Sequence, residues 1–190
     1  EEMQSIRIAP NDDLWVGARW PFWGEGGVGI LDQTQQTWTT LSNVDTPVPG
    51  EYIRDIEFSA DGVVWMASNG GLVRKDGEAW TIYNTTNSPL LHNNISSIDI
   101  DSRGHIWINN SNVQNQSAAL FEFDPAANTW HKFAVPTELP WPDPWRQLAS
   151  VFVDSRDRVW IGNATLPGVA MYDGQRWTLL GANLTTFKRF

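Results

Sequence analysis

Four times along this chain one short phrase returns: an apolar strand, a tight polar turn, and a second strand that carries a tryptophan. The copies are Ile6–Gly17, Ile56–Ala67, Ile98–Asn109 and Val151–Gly162. Their turns, Pro10–Asp13, Ser59–Gly62, Asp101–Gly104 and Asp154–Asp157, consist largely of residues that bond their own backbone or accept positive φ, as a hairpin loop requires. The run before each turn is spaced apolar-x-x-apolar-x-apolar: Met3/Ile6/Ile8, Ile53/Ile56/Phe58, Ile95/Ile98/Ile100 and Leu148/Val151/Val153. A step of three would suit a helix. The closing alternation, the branched residues and the nearness of the turn favour a strand.

Behind each phrase comes a third strand ending in Asp, at Asp32, Asp76, Asp124 and Asp173. A fourth strand follows, opening at Trp38, Trp80, Trp130 and Trp177. Self-similarity at about 40–50 residues with four strands per unit is the pattern of propeller blades. It also explains the twelve tryptophans of this 190-residue chain, eight of which fill repeat slots that pack blades or line their rims. The expected fold is therefore all-β: a β-propeller domain over 1–190 with four blades of four antiparallel strands. The blades fall at approximately 1–43, 50–86, 93–135 and 146–182, as a partial ring or as part of a larger propeller. An open arc exposes apolar faces, so self-association, or a larger protein assembly completing the ring, is expected.

The recurring motif is clearest in Asp61-Gly-Val-Val-Trp65 with Gly71-Leu, and in Val159-Trp-Ile-Gly162 with Gly168–Asp173. It resembles the two-component-regulator propeller repeat, which builds the extracytoplasmic sensor of many bacterial signalling proteins. The resemblance covers essentially the whole chain. It implies a non-catalytic ligand-binding or sensor module, periplasmic, secreted or on the cell surface. Rings of that family usually hold more blades than four, so this chain corresponds to a small ring, a fragment, or a ring completed by another copy.

The net charge of −9 argues against nucleic acid or an anionic membrane surface as a partner. No apolar run approaches a membrane span, so no membrane insertion is expected. With no cysteine, disulfides and thiolate chemistry are excluded. Glu1-Glu-Met-Gln carries no signal-peptide features, and the chain opens almost inside its first repeat, as a processed chain or an excised piece would.

In a four-strand meander, the links from strand two to strand three and from strand four onward leave at one end. The tight turns leave at the other. The long irregular segments all fall at the first end, which marks it as the specialised surface. They hold the four tryptophans outside the repeat slots: Trp20, Trp23, Trp141 and Trp145. Nearby prolines stiffen these segments, and Glu25 and Asp143 can accept hydroxyl hydrogen bonds. Arg54, Asp55 and Arg146 lead the first strands at the same end, the arginines being suited to an anionic group. This set implies a glycan or another small polar ligand. The plainer alternative folds the rings back over their own loops, leaving a structural or protein-interaction module.

Catalysis is the least supported class. His92, His105 and His131 fall in different kinds of position, and the acidic residues mostly repeat with the turns. No catalytic residue, metal ligand or cofactor is expected. Streptogramin-lyase-like propellers share a related repeat and form a distant alternative. They would need a histidine and a carboxylate on one face, and only His92 is suitably placed.

Overall fold

The computed structural model of the chain describes residues 2–19, 26–50, 52–112, 117–133, 148–163 and 168–181. Among these residues there are sixteen strands in four antiparallel sheets and no helix. The first sheet is β1 (Glu2–Ile8), β2 (Leu14–Arg19), β3 (Gly26–Asp32) and β4 (Thr37–Ser42). The second is β5 (Ile53–Phe58), β6 (Val64–Ser68), β7 (Leu72–Asp76) and β8 (Ala79–Tyr83). The third is β9 (Ser97–Ile100), β10 (Ile106–Asn112), β11 (Ser117–Asp124) and β12 (Thr129–Lys132). The fourth is β13 (Leu148–Val153), β14 (Val159–Asn163), β15 (Val169–Tyr172) and β16 (Trp177–Leu180). Every sheet is a meander in chain order, the blade unit of a β-propeller fold. The chain divides into two compact units, Glu1–Ile98 and Asp99–Phe190.

One turn geometry joins the first two strands of every sheet. In the first, Ala9 N–H donates to Asp13 O at 2.8 Å and Asp12 N–H to Ala9 O at 2.9 Å, and the other three sheets repeat both bonds. This loop needs positive φ at its fourth residue. Asp12, Gly62, Gly104 and Asp157 supply it, at 67°, 85°, 81° and 58°. In three sheets the second hairpin is held by the Asp at the end of the third strand or, in sheet four, just after it. Asp32, Asp124 and Asp173 each accept two backbone N–H groups through Oδ1 at 2.8–3.0 Å.

The odd three-residue spacing at the start of the first strands has a physical cause. Ile53 pairs with Ser68 and Asp55 with Ala67, so Arg54 is an extra residue in a β-bulge. The same irregularity falls between Met3 and Ser5 and between Leu148 and Ser150. A bulge resets the alternation, so apolar residues three apart still point to one face.

Each unit has its own core. In the first, Trp15 and Val28 of sheet one pack on Ile53, Ile56, Met66 and Val73 of sheet two. In the second, Trp107, Leu120 and Phe133 pack on Val151, Ile161, Ala170 and Trp177.

Candidate functional site

Of the residues expected to bind a ligand, Arg54 and Asp55 are described. Trp20, Trp23, Glu25, Trp141, Asp143, Trp145 and Arg146 lie outside the described residues. Arg54 and Asp55 are adjacent in the chain yet differently engaged. The bulge makes Arg54 the unpaired residue of β5, at the end of sheet two where the β6–β7 link emerges. Its guanidinium carbon lies 5.3 Å from the centre of the Tyr52 ring. Its Nε is shielded from solvent and has no hydrogen-bond partner among the described residues. Arg54 as a whole is only half-buried, and a shielded donor without an acceptor is costly.

Asp55 is buried and occupied. It accepts hydrogen bonds from Arg7 Nη2 at 3.1 Å, from its neighbour Ile56 N at 3.1 Å and from Ile98 N at 3.2 Å. Arg7 also donates to Glu57 Oε1 from Nε at 2.8 Å and from Nη2 at 2.6 Å. In the second unit, Asp99 accepts Val153 N–H at 2.6 Å. Carboxylates on the first strands thus fasten neighbouring first strands to one another, a role that the repeat pattern alone did not reveal.

A second polar cluster lies at the opposite, tight-turn end of sheet three. Arg103 Nη2 donates to Asp101 Oδ2 at 2.5 Å and to Glu122 Oε1 at 2.7 Å. His105 Nδ1 lies 2.7 Å from Glu122 Oε1, and Trp107 Nε1 donates to Asp101 Oδ2 at 3.2 Å. Asp101, His105 and Glu122 offer three ligand atoms within 4.8 Å of one another. The Arg103 guanidinium already bonds both carboxylates and brings its own positive charge, so the cluster is a turn clasp rather than a cation site. Sheet four repeats the arrangement. Asp154 accepts Arg158 Nε at 2.7 Å and Trp160 Nε1 at 2.9 Å, and these bonds hold its carboxyl well below the usual carboxylate range.

The third feature is an apolar groove on the outer face of sheet one, with a volume of about 480 Å³. Met3, Val16 and Trp38 form its walls, and Gly29 of β3 leaves its floor without a side chain. The later repeats carry Val73, Phe121 and Ala170 at the slot of Gly29. The exposure pattern sets this face apart. Ile6 is 51% exposed and Trp38 58%, whereas their counterparts Ile56 and Trp177 stand at 0% and 9%. Burying an aliphatic side chain as large as Ile6 is worth about 1.5–3 kcal/mol, which this face leaves unclaimed. Trp38 therefore departs from the packing role of its slot. Gly29 of β3 was the sequence signal for the groove.

Among solved structures, several extracellular and surface proteins share this fold. The extracellular domain of the hybrid two-component system protein BT4673 of Bacteroides thetaiotaomicron superposes with a TM-score of 0.71 at 14% identity, over 95% of this chain and 24% of that one. PorZ, a surface component of the type-IX secretion system of Porphyromonas gingivalis, does so with 0.71 at 18% identity, over 94% and 27%. Virginiamycin B lyase from Staphylococcus aureus gives 0.69 at 13% identity, over 93% and 54%. The chain thus spans between about a quarter and about half of the length of these neighbours. No protein-family model and no curated protein sequence matches it.

Proposed function

We propose that this chain is a non-catalytic, sensor-type propeller module that acts outside the cytoplasm and recognises a glycan or another small polar ligand. The ligand would bind at the end where the long connecting segments leave the sheets. The observation that carries this reading is Arg54: a guanidinium set out by a bulge, supported on Tyr52, with a shielded Nε that lacks an acceptor among the described residues. Bulges commonly re-aim a side chain beside a functional site. The tryptophans at 20, 23, 141 and 145, with Glu25, Asp143 and Arg146, would supply stacking planes and hydroxyl acceptors around it. Asp55 would hold the neighbouring backbone in place rather than touch the ligand.

The extracytoplasmic placement draws support from neighbours that are extracellular domains and a surface component. Among the described residues no helix is long and apolar enough to cross a membrane. His105, at the tight-turn end, adds nothing to the lyase-like reading, its carboxylate neighbours being engaged by Arg103 and Trp107, so that reading would rest on His92 alone.

Glycan-array binding of the whole chain, compared with Trp20→Ala, Trp141→Ala and Arg54→Gln, tests the proposal. Binding that weakens in these variants while their melting curves are preserved is the expected result. Binding unchanged in all three would refute the site.

A further inference from the structure

The faces of the sheets repeat as regularly as their strands. In the first unit, the Trp15 face of sheet one packs on the Ile56–Met66–Val73 face of sheet two, and Trp15 meets Phe58 edge-on at 5.4 Å. In the second unit, the Trp107 face of sheet three packs on the Val151–Ile161–Ala170 face of sheet four. Each contact therefore joins a tryptophan face to an aliphatic face.

Among the described residues, sheets one and four each also present exposed apolar side chains on a face outside these contacts. The aliphatic one is the groove face of sheet one, where Met3, Ile6 and Trp38 are exposed around the buried Val16. The tryptophan one belongs to sheet four, where Phe152, Trp160 and Met171 stand side by side across β13, β14 and β15. Phe152 is 58% exposed and Trp160 half-buried. On the Trp160 face the Arg158 guanidinium lies 5.2 Å from the ring centre, with its charge paired to Asp154 at 2.6 Å. The slot that holds Arg7, Glu57 and Asp99 in the other sheets, and fastens first strands by polar bonds, holds Phe152 here. Ile6 and Ile8 lie on the facing surface of sheet one, so an apolar residue meets an apolar strand.

We propose that these two faces bind one another between two copies of this chain, head to tail, with the Trp160 face of one copy seated in the sheet-one groove of the next. Such a contact is heterologous: it uses different surfaces on the two partners. The groove suits an aromatic side chain better than a polar ligand. Its floor is glycine and aliphatic, and its polar groups, Thr40, Ser42 and Asp45, come from β4 and the turn after it. This reading is independent of the ligand site around Arg54.

Sedimentation velocity over a range of concentrations tests it on the whole chain. The wild type should associate, and Ile6→Asp and Phe152→Asp should each weaken association by about tenfold or more. Mixing the two variants is the sharper arm. Each retains the face that the other has lost, so the mixture should form a heterodimer that neither forms alone. Both changes fall on exposed side chains, and melting curves will confirm folding. Should Ile6→Asp unfold, Met3→Glu probes the same face. A wild type that stays monomeric at every concentration overturns the proposal and leaves the groove to another chain or a small apolar ligand. Association untouched by both variants, or unrestored by mixing, overturns it equally.

Discussion

Asp154 accepts the indole N–H of Trp160, six residues further along the chain, at 2.9 Å. Asp101 stands in the same relation to Trp107, at 3.2 Å. The first residue of the turn thereby ties the hairpin loop to the tryptophan of the strand it feeds. Sheets one and two carry Ala9 and Ser59 at that position, and neither offers a carboxylate. The clasp thus distinguishes the last two repeats.

Acid should destabilise the fold through these clasps. The Arg158 and Trp160 bonds depress the Asp154 carboxyl, bonds from Ser102 depress that of Asp157, and backbone N–H groups depress those of Asp124 and Asp173. A carboxylate whose folded pKa lies below its unfolded value adds stability that is present above the unfolded value. That stability is lost as pH falls through the folded value. The thermal midpoint should therefore hold level from neutral pH to about pH 4, near the unfolded aspartate value, and decline below it. Asp154→Asn should lower the midpoint at neutral pH and flatten the acid decline. Calorimetry across that range reads both effects, and an unchanged acid slope would contradict the assignment.

Two glycines of sheet two separate conformational cost from collision. Gly62 has φ of 85° and open space around its missing Cβ. Gly62→Ala should cost only the left-handed penalty, about 1–2 kcal/mol. Gly71 has φ of 135°, and a Cβ there would stand 2.3 Å from the Tyr83 carbonyl oxygen. That collision is with backbone, so β7 and β8 must separate, and Gly71→Ala should cost about 4 kcal/mol or more. Denaturant unfolding of the two variants tests the ranking.

The strands and turns were legible in the sequence because they depend on local chemistry that recurs. Asp, Asn and Gly mark each loop, and Trp15, Trp65, Trp107 and Trp160 mark each second strand. Trp38 and Trp177 show where legibility stops. They fill one slot, and what covers each is decided by a neighbouring sheet, not by the flanking residues. Arg54 and Asp55 make the same point at the candidate site. A polar pair at the head of a strand reads as one rim, yet a single extra residue in the register sends one to Tyr52 and the other to Arg7 and Ile98.

Asp55→Ala should therefore behave as a core mutation despite the polar residue. It removes an acceptor from the buried Ile98 N–H and from Arg7, whose side chain remains partly solvated and so counts for less. The expected loss is about 1–3 kcal/mol. Asp55→Asn keeps an oxygen for Ile98 and should lose less than Asp55→Ala. Hydrogen exchange of the Ile98 amide gives a local readout: faster exchange in the alanine variant is expected, and equal protection in both variants would contradict the role.

The tryptophans at 38 and 177 provide the last test, because chemistry and slot are shared and only the covering differs. Trp177 stacks on Tyr172 with ring centres 5.1 Å apart and meets Phe133 edge-on at 6.2 Å. Trp177→Ala should cost about 3–5 kcal/mol at any protein concentration. Trp38→Ala, measured in dilute solution, should change stability by no more than about 0.5 kcal/mol, as expected of an exposed side chain. Binding to the folded state raises apparent stability by mass action, so a second copy seated on the groove would make the wild-type midpoint climb with concentration. Trp38→Ala should reduce that climb, while Trp177→Ala should lower the whole curve and leave its slope. Thermal melts at several concentrations distinguish these outcomes, and a Trp38→Ala loss as large as that of Trp177→Ala would show that its face is already covered within the chain.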